Sequence, residues 1–406
     1  DTLYFFNASL GTPPQKFRLH LDTGSSDLWV NTPDSELCST YSQPCVDAGV
    51  YSANASSSYN YVASDFNISY VDGSGARGDY VTDMFSVENI TLKSLQFGVG
   101  YQSSSLQGIL GIGYAINEVQ VGRAGKKPYA NLPMKMVEEG LIRSNAYSLW
   151  LNDLDASTGN ILFGGVDTAQ YVGSLYTLPI QKSSGSFSEF FVTLTDLSMG
   201  NKSIAKEQAH AVLLDSGSSL TYLPDSMTEV IYRVLGAKYD DIEGATYVPC
   251  QLAQSHMTID FKFSQPIIKV EMNELVIPIS DSSSKPITFA DGNPACLFGI
   301  APAGAGTSVL GDTFLRSAYL VYDLDNNQIS IAQTNFNTTD HNILEIGTGR
   351  NSVPDALFVE KSVTAKSGII ENKYSQSSSS RSATISKKRV VPFLIAIIFI
   401  TKSISM

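Results

Sequence analysis

The chain has 406 residues, 43% of them apolar and only 16% charged, with a formal net charge of −12. It is long enough for two or more cores and too apolar for a disordered chain or a long coiled coil. The acidic balance argues against a general binder of nucleic acid or anionic membranes. The charge is unevenly placed: −8 over residues 1–180, −9 over 181–340 and +5 over 341–406.

The chain begins at Asp1 with neither Met nor an apolar leader, which reads as a processed or truncated chain. Short runs rich in Val, Ile, Tyr, Phe and Thr then recur between Gly, Asn, Asp and Ser. They predict strands at 17–21, 65–70, 80–87 and 92–99. A helix is predicted at 133–139, with a Pro near its start and Gly140 behind it. A strand at 190–194 follows, then a helix at 224–235 that places Met227, Val230, Ile231, Val234 and Leu235 on one stripe ahead of Gly236. The last predicted strand is 320–322. The fold class is all-β to about residue 335.

Beyond that point the composition changes. Residues 341–389 are polar and rich in Ser and Lys, which predicts a flexible, disordered stalk. Residues 390–400 are eleven apolar positions, too few to span a bilayer as a helix, which needs about 20. Small residues, a polar spacer and a short apolar end together form a GPI-attachment signal. Ser378 is the expected attachment residue, followed by Ser379 and Ser380.

The four cysteines, Cys38, Cys45, Cys250 and Cys296, fall two in each acidic half. No pair has CxxC spacing and the four His are scattered, so a metal site is not expected. One disulfide in each half is one of three possible connectivities. Asn-X-Ser/Thr triplets at Asn7, Asn54, Asn67, Asn89, Asn201 and Asn337 fit a secreted, oxidising setting. Asn67 and Asn89 lie in strand-like stretches and are the weaker glycosylation candidates.

The main organising signal is an internal repeat. Leu19-His-Leu-Asp22-Thr-Gly-Ser-Ser returns 193 residues later as Val212-Leu-Leu-Asp215-Ser-Gly-Ser-Ser. Each copy has a second echo downstream, Ile109-Leu-Gly and Val309-Leu-Gly. Two signatures in the same order imply two homologous lobes, placed at 1–178 and 179–338, ahead of the stalk at 339–389 and the apolar signal at 390–406. In each repeat an apolar strand leads an Asp into the interior and a Gly two residues on lets the chain turn tightly around it. Nearby N–H groups and the hydroxyls of Ser25 and Ser218 can then satisfy the buried carboxylates. If a pseudo-twofold relates the lobes, Asp22 and Asp215 meet on its axis and share a proton. Such a pair supplies an acid and a base to one water without a metal or a covalent intermediate. His20 is assigned to strand packing on the face away from Asp22.

With these residues in view, the chain resembles the pepsin family of aspartic proteases over about residues 2–335. Asp22-Thr-Gly-Ser-Ser-Asp-Leu-Trp-Val and Leu214-Asp-Ser-Gly-Ser-Ser are similar to its two active-site motifs, and Ile68-Ser-Tyr-Val-Asp-Gly-Ser to its flap. The resemblance implies a bilobal pepsin-like fold with pseudo-twofold lobes. It makes Asp22 and Asp215 the catalytic pair, supported by Thr23, Gly24, Ser25, Ser216, Gly217 and Ser218. Tyr70 becomes the flap tyrosine facing Trp29, and Asp72 and Gly73 become binders of substrate backbone at the flap tip. It also implies the pairings Cys38–Cys45 and Cys250–Cys296. Combined with the GPI signal, it is similar to the fungal yapsin-like and opsin-like members. Val71 replaces a usual flap Gly, and Ser216 and Ser218 replace the commoner Thr. The chain also starts about ten residues later than is usual in the family, so a strand of the sheet beneath the cleft is expected to be absent.

The function expected is acidic endopeptidase action on extended peptides and proteins, without a cofactor, with a possible preference for basic residues at the cleavage site. The enzyme is expected to be a monomer on the outer face of the fungal plasma membrane or in the cell wall. The rival readings are a catalytically inactive binding or inhibitor protein of the same fold and a structural wall protein. The retention of Asp22, Asp215 and Tyr70 weighs against both.

Overall fold

Strand Gln15–Asp22 shows how the pattern becomes structure. Phe17, Leu19 and Leu21 are buried on alternate positions, and the polar residues ahead of them face outward. A computed structural model of the chain describes residues 2–280, 285–369 and 396–404. Ser378 and the other candidate signal residues between 370 and 395 lie outside the described residues.

The two Asp-bearing strands sit in matching surroundings. Gln15–Asp22 runs antiparallel to Thr2–Leu10 and parallel to Ile109–Gly111, with Asp22 opposite Gly111. His210–Leu214 runs antiparallel to Ser186–Leu194 and parallel to Val309–Leu310, with Leu214 opposite Leu310. The downstream echo in each half is therefore the strand that pairs with the Asp strand. Its Gly is required by close approach. A Cβ on Gly111 would lie 2.6 Å from the Ser26 nitrogen, and one on Gly311 would lie 2.2 Å from the carbonyl oxygens of Ser218 and Leu220.

A shared sheet lies beneath both strands. It runs through Gln328–Thr334, Ala318–Asp323, Ala146–Trp150, Thr158–Phe163, Ala396–Ile404 and Thr2–Leu10 in that order. The place beside Thr2–Leu10 is thus filled, by a strand from the far end of the chain. Ala396–Ile404 pairs antiparallel with Thr2–Leu10 (Phe5 opposite Thr401) and with Thr158–Phe163 (Ile398 opposite Ile161).

The predicted strands all appear, extended by a few residues: Asn60–Ser69, Gly75–Val87, Ile90–Ser103, Ser186–Leu194 and Ala318–Asp323. The two predicted helices are Leu132–Glu138 and Asp225–Leu235. No helix among the described residues is long and apolar enough to cross a membrane. The expected stalk departs from its sequence reading as far as residue 369. Ile343–Glu345 pairs with Gly165–Asp167, and Leu357–Phe358 with Tyr176 and Thr177. Ile346 and Val353 join the buried cluster around Val166, Tyr319 and Val321. Two apolar anchors in a polar stretch are too sparse for a periodic signal, yet they hold the segment on the body. The cysteines pair as Cys38–Cys45 and Cys250–Cys296.

Candidate active site

The repeat places Asp22 and Asp215 at the ends of their strands, with their carboxyls hydrogen-bonded to each other. Gly24 N–H donates to Asp22 Oδ1 at 2.8 Å and the Ser25 hydroxyl donates to Oδ2. Gly217 N–H donates to Asp215 Oδ1 and the Ser218 hydroxyl to Oδ2, both at 2.8 Å. The same two donors therefore serve the same two oxygens in each lobe. The glycines also make room. A Cβ on Gly24 would lie 2.5 Å from Asp215 Oδ1, and one on Gly217 would lie 2.5 Å from Asp22 Oδ1.

Thr23 and Ser216 lock the lobes together behind the carboxyls. Thr23 N–H donates to Ser216 Oγ at 3.2 Å, and Ser216 N–H to Thr23 Oγ1 at 2.9 Å. Each hydroxyl then donates to a carbonyl of the opposite Asp strand, Thr23 to Leu214 at 3.1 Å and Ser216 to Leu21 at 2.9 Å. Both side chains are buried, so these bonds form away from competing water.

Burial raises both acids. For Asp215 the charge of Asp22 adds to burial and carries it up to about 7. Asp22 is raised by burial and restrained by the Ser25 hydroxyl, by Asp215 and by the Gly24 N–H. The two acids are thus coupled, and Asp215 is the one held up to about 7.

The flap strands Asn60–Ser69 and Gly75–Val87 carry Tyr70 toward the dyad. Trp29 is fully buried and its Nε1–H donates to the Tyr70 hydroxyl at 2.8 Å. The Tyr70 hydroxyl also lies near Ser25, whose own hydroxyl donates to Asp22. At the tip, Ser74 N–H donates to Asp72 Oδ1 at 2.8 Å and Gly73 N–H to the Tyr70 carbonyl at 3.1 Å. Val71 is fully exposed there, so it occupies no core position.

His20 requires a correction. It packs against Phe5, opposite it on the neighbouring strand Thr2–Leu10, 6.0 Å between rings, but not away from the dyad. Residues two apart in a strand share a face. His20 accordingly meets the Ser216 backbone and the field of Asp215, while burial holds its pKa down to about 4.

Two polar groups were not read from the sequence. Asp27 is buried and accepts from Tyr80 at 2.8 Å, Tyr129 at 3.0 Å and Val119 N–H at 2.8 Å, bracing the wall behind the flap. Beneath Asp215, buried Arg316 pairs with Glu274 at 2.5 Å beside the buried Asp312, whose carboxyl is raised by burial. Among the candidate acceptors for glycan, Asn7, Asn54, Asn89, Asn201 and Asn337 are exposed. Asn67 is half-buried within a strand, whereas Asn89 lies in the turn after Val87 rather than in a strand.

Comparison with known proteins agrees with this geometry. The family model described as eukaryotic aspartyl protease matches residues 3–334. The chain is 58% identical over 371 residues to a probable aspartic-type endopeptidase opsB of Aspergillus oryzae, covering 90% of this chain and 75% of the relative. It is 33% identical to aspartic proteinase 3 of Saccharomyces cerevisiae, covering 88% of this chain and 74% of the relative. The crystal structure of an aspartic proteinase from Irpex lacteus superposes with a TM-score of 0.67 at 20% identity, over 84% of this chain and 99% of that one. Two repeated Asp strands joined at one carboxyl pair, under a flap and within this match, make the chain a member of the eukaryotic aspartyl protease family, an aspartic-type endopeptidase of pepsin-like fold.

Proposed function

We propose that the chain is an acid-acting endopeptidase tethered by a GPI anchor to the outer fungal surface, with a preference for basic residues beside the cut. The observation that carries the acid-acting part is the asymmetric pair, with Asp215 held up to about 7 and Asp22 facing it. A water between them gives a proton to ionised Asp22 and attacks the scissile carbonyl, whose oxygen accepts a hydrogen bond from neutral Asp215. The shared proton is general to paired aspartates of this class; the assignment to these two residues rests on the hydrogen bonds described. Tyr70 closes over the bound strand, and Gly24, Gly217 and the flap tip at Asp72 and Gly73 offer backbone groups to it.

The tether rests on the sequence of the last 29 residues, with Ser378 as the attachment residue. The basic preference rests on the net charge of −17 carried by residues 1–340 and on the yapsin-like resemblance. Exposed Asn7, Asn54, Asn89, Asn201 and Asn337 are the sites proposed to carry glycan in the secretory pathway.

The test is digestion of a peptide library between pH 3 and 7, with and without pepstatin. Cleavage that is pepstatin-sensitive and lost in Asp215→Asn is expected. Cleavage that persists in that variant overturns the dyad mechanism. Release from intact cells by phosphoinositide-specific phospholipase C, after any inositol acylation is removed, tests the anchor separately. Retention with an intact tail by mass spectrometry overturns it.

A further inference from the structure

Strand Ser186–Leu194 borders the dyad on the second lobe, and one of its side chains has no evident structural task. Phe191 lies opposite Leu213 and Val192 opposite Val212. Continuing that antiparallel register by two residues sets Glu189 opposite Asp215. The alternation of the strand agrees. Phe190 is fully buried and packs on Tyr322 at 4.6 Å between rings. Its neighbour Glu189 therefore faces the other way, on the side of Phe191, Leu213 and Asp215.

Glu189 is only partly exposed, and it makes no ion pair with any cation among the described residues. The buried hydroxyl of Ser183 lies in hydrogen-bonding reach. The nearest lysine in sequence, Lys182, is exposed and places its Nζ 5.1 Å over the Phe187 ring. Burial raises the Glu189 carboxyl, and the Asp215 charge raises it further, so the two acids sense each other across the cleft floor. A partly buried carboxylate with one hydroxyl partner carries an uncompensated desolvation cost. Asp27, by contrast, meets three donors.

We propose that Glu189 is the specificity residue that receives the ammonium or guanidinium of a Lys or Arg flanking the scissile bond. An extended substrate passes over the dyad, so the side chain beside the cut stands next to the strand that carries Glu189. A long basic side chain supplies the missing positive partner and forms a charge-assisted hydrogen bond there. The pairing also explains selectivity in physical terms. An apolar residue at that place leaves the carboxylate desolvated and unpaired, so the preference comes partly from the cost imposed on the wrong substrate.

This inference rests on the basic preference proposed above, and its test separates the two. Matched peptides carrying Lys or norleucine on either side of one cut bond are compared by the ratio of their kcat/KM values. The wild-type enzyme is expected to favour Lys at one of the two positions by at least about tenfold. Glu189→Gln is expected to bring that ratio close to one, and Glu189→Arg to favour Glu at the same position. Asp72→Asn, which alters the other carboxylate near the cut, is expected to keep the Lys preference. Pepstatin titration counts folded sites in each variant, and Glu189→Ala replaces Glu189→Gln if the latter yields none. A wild-type ratio near one overturns the basic preference and this assignment with it. A strong wild-type preference that survives both Glu189→Gln and Glu189→Ala, or that vanishes instead in Asp72→Asn, overturns the assignment alone.

Discussion

Thr23 and Ser216 each donate a backbone N–H to the other's hydroxyl across the two lobes, at 3.2 and 2.9 Å. Each hydroxyl then donates to the opposite Asp strand, so the carboxyl pair above them cannot drift apart without breaking four buried bonds. Thr23→Val fills nearly the same volume but removes the oxygen. It leaves the Ser216 N–H and the Leu214 carbonyl unpaired, at a cost of about 1–3 kcal/mol for each buried group. A lower urea midpoint is expected, together with a fall in kcat larger than any change in KM. Unchanged stability in Thr23→Val would show that the lock contributes nothing.

Gly24 and Gly217 test the spacing of the carboxyls from the other direction. A single methyl at either position would intrude to 2.5 Å from the opposite aspartate. Gly217→Ala is expected to displace the Asp22 carboxyl by a fraction of an ångström. Misplacement on that scale costs on the order of 100-fold in rate. Steady-state kinetics on one peptide, with pepstatin titration to count folded sites, checks it.

How much of this was legible beforehand depended on repetition. Asp22 and Asp215 stood out because the same apolar strand, Asp and Gly occur twice, each with its Leu-Gly partner strand downstream. Asp27 lies five residues from Asp22 and is equally buried, yet its partners Tyr80, Tyr129 and Val119 are 53, 102 and 92 residues away. A lone Asp gives no sign of distant donors, and the same holds for Asp312, Arg316 and Glu274. His20 is no ambiguous case: it stands two residues before Asp22 in one strand and so shares its face. The tail was harder for a physical reason. An apolar run of eleven satisfies both a processing signal and a sheet strand, and local composition does not distinguish them.

The flap tyrosine makes a finer prediction. Tyr70→Phe keeps the ring but leaves the Trp29 Nε1–H without its acceptor. The loss of one positioned hydrogen bond is expected to lower kcat/KM by about tenfold and to cost about 1–3 kcal/mol of stability, because the Trp29 Nε1–H is fully buried. Tryptophan fluorescence should shift as well, since only Trp29 and Trp150 contribute. A variant with wild-type kcat/KM would remove the flap hydroxyl from the mechanism.

Stability should fall as pH rises. Asp22, Asp27, Glu118, Asp215, Asp312 and Asp323 are all raised by burial in the folded state, Asp215 to about 7 and Glu118 to about 9. Between the unfolded carboxylate range and these values the folded chain binds more protons than the unfolded chain. Each group then contributes stability that is fully present below about pH 4 and is lost as pH climbs through its folded value. Two groups act in the opposite sense: His20, held down to about 4 by burial, between that pH and its ordinary 6.5, and Lys402, held down to about 8 by burial and Arg316, between that pH and its ordinary 10.5. The unfolding midpoint is therefore expected to decline from about pH 4 to about pH 9. Asp215→Asn should flatten the part near pH 7. A midpoint that rises with pH would contradict the burial of these acids.

The strand Ala396–Ile404 connects the proposed anchor with the fold. It joins Thr2–Leu10 to Thr158–Phe163, and Lys402 Nζ donates to the Leu154 carbonyl beside Arg316 and Glu274. GPI transfer at Ser378 would remove this strand and expose two paired edges beneath the catalytic floor. A chain ending at residue 378 is expected to unfold at lower urea, with backbone bonds worth on the order of 1 kcal/mol each lost along both edges. A synthetic peptide spanning residues 395–405 should restore part of the midpoint by re-entering the gap, and its Lys402→Glu counterpart should restore less, because it would set a carboxylate beside Glu274. An equal midpoint for the full and shortened chains, with no peptide binding, would show that the strand adds nothing to the fold.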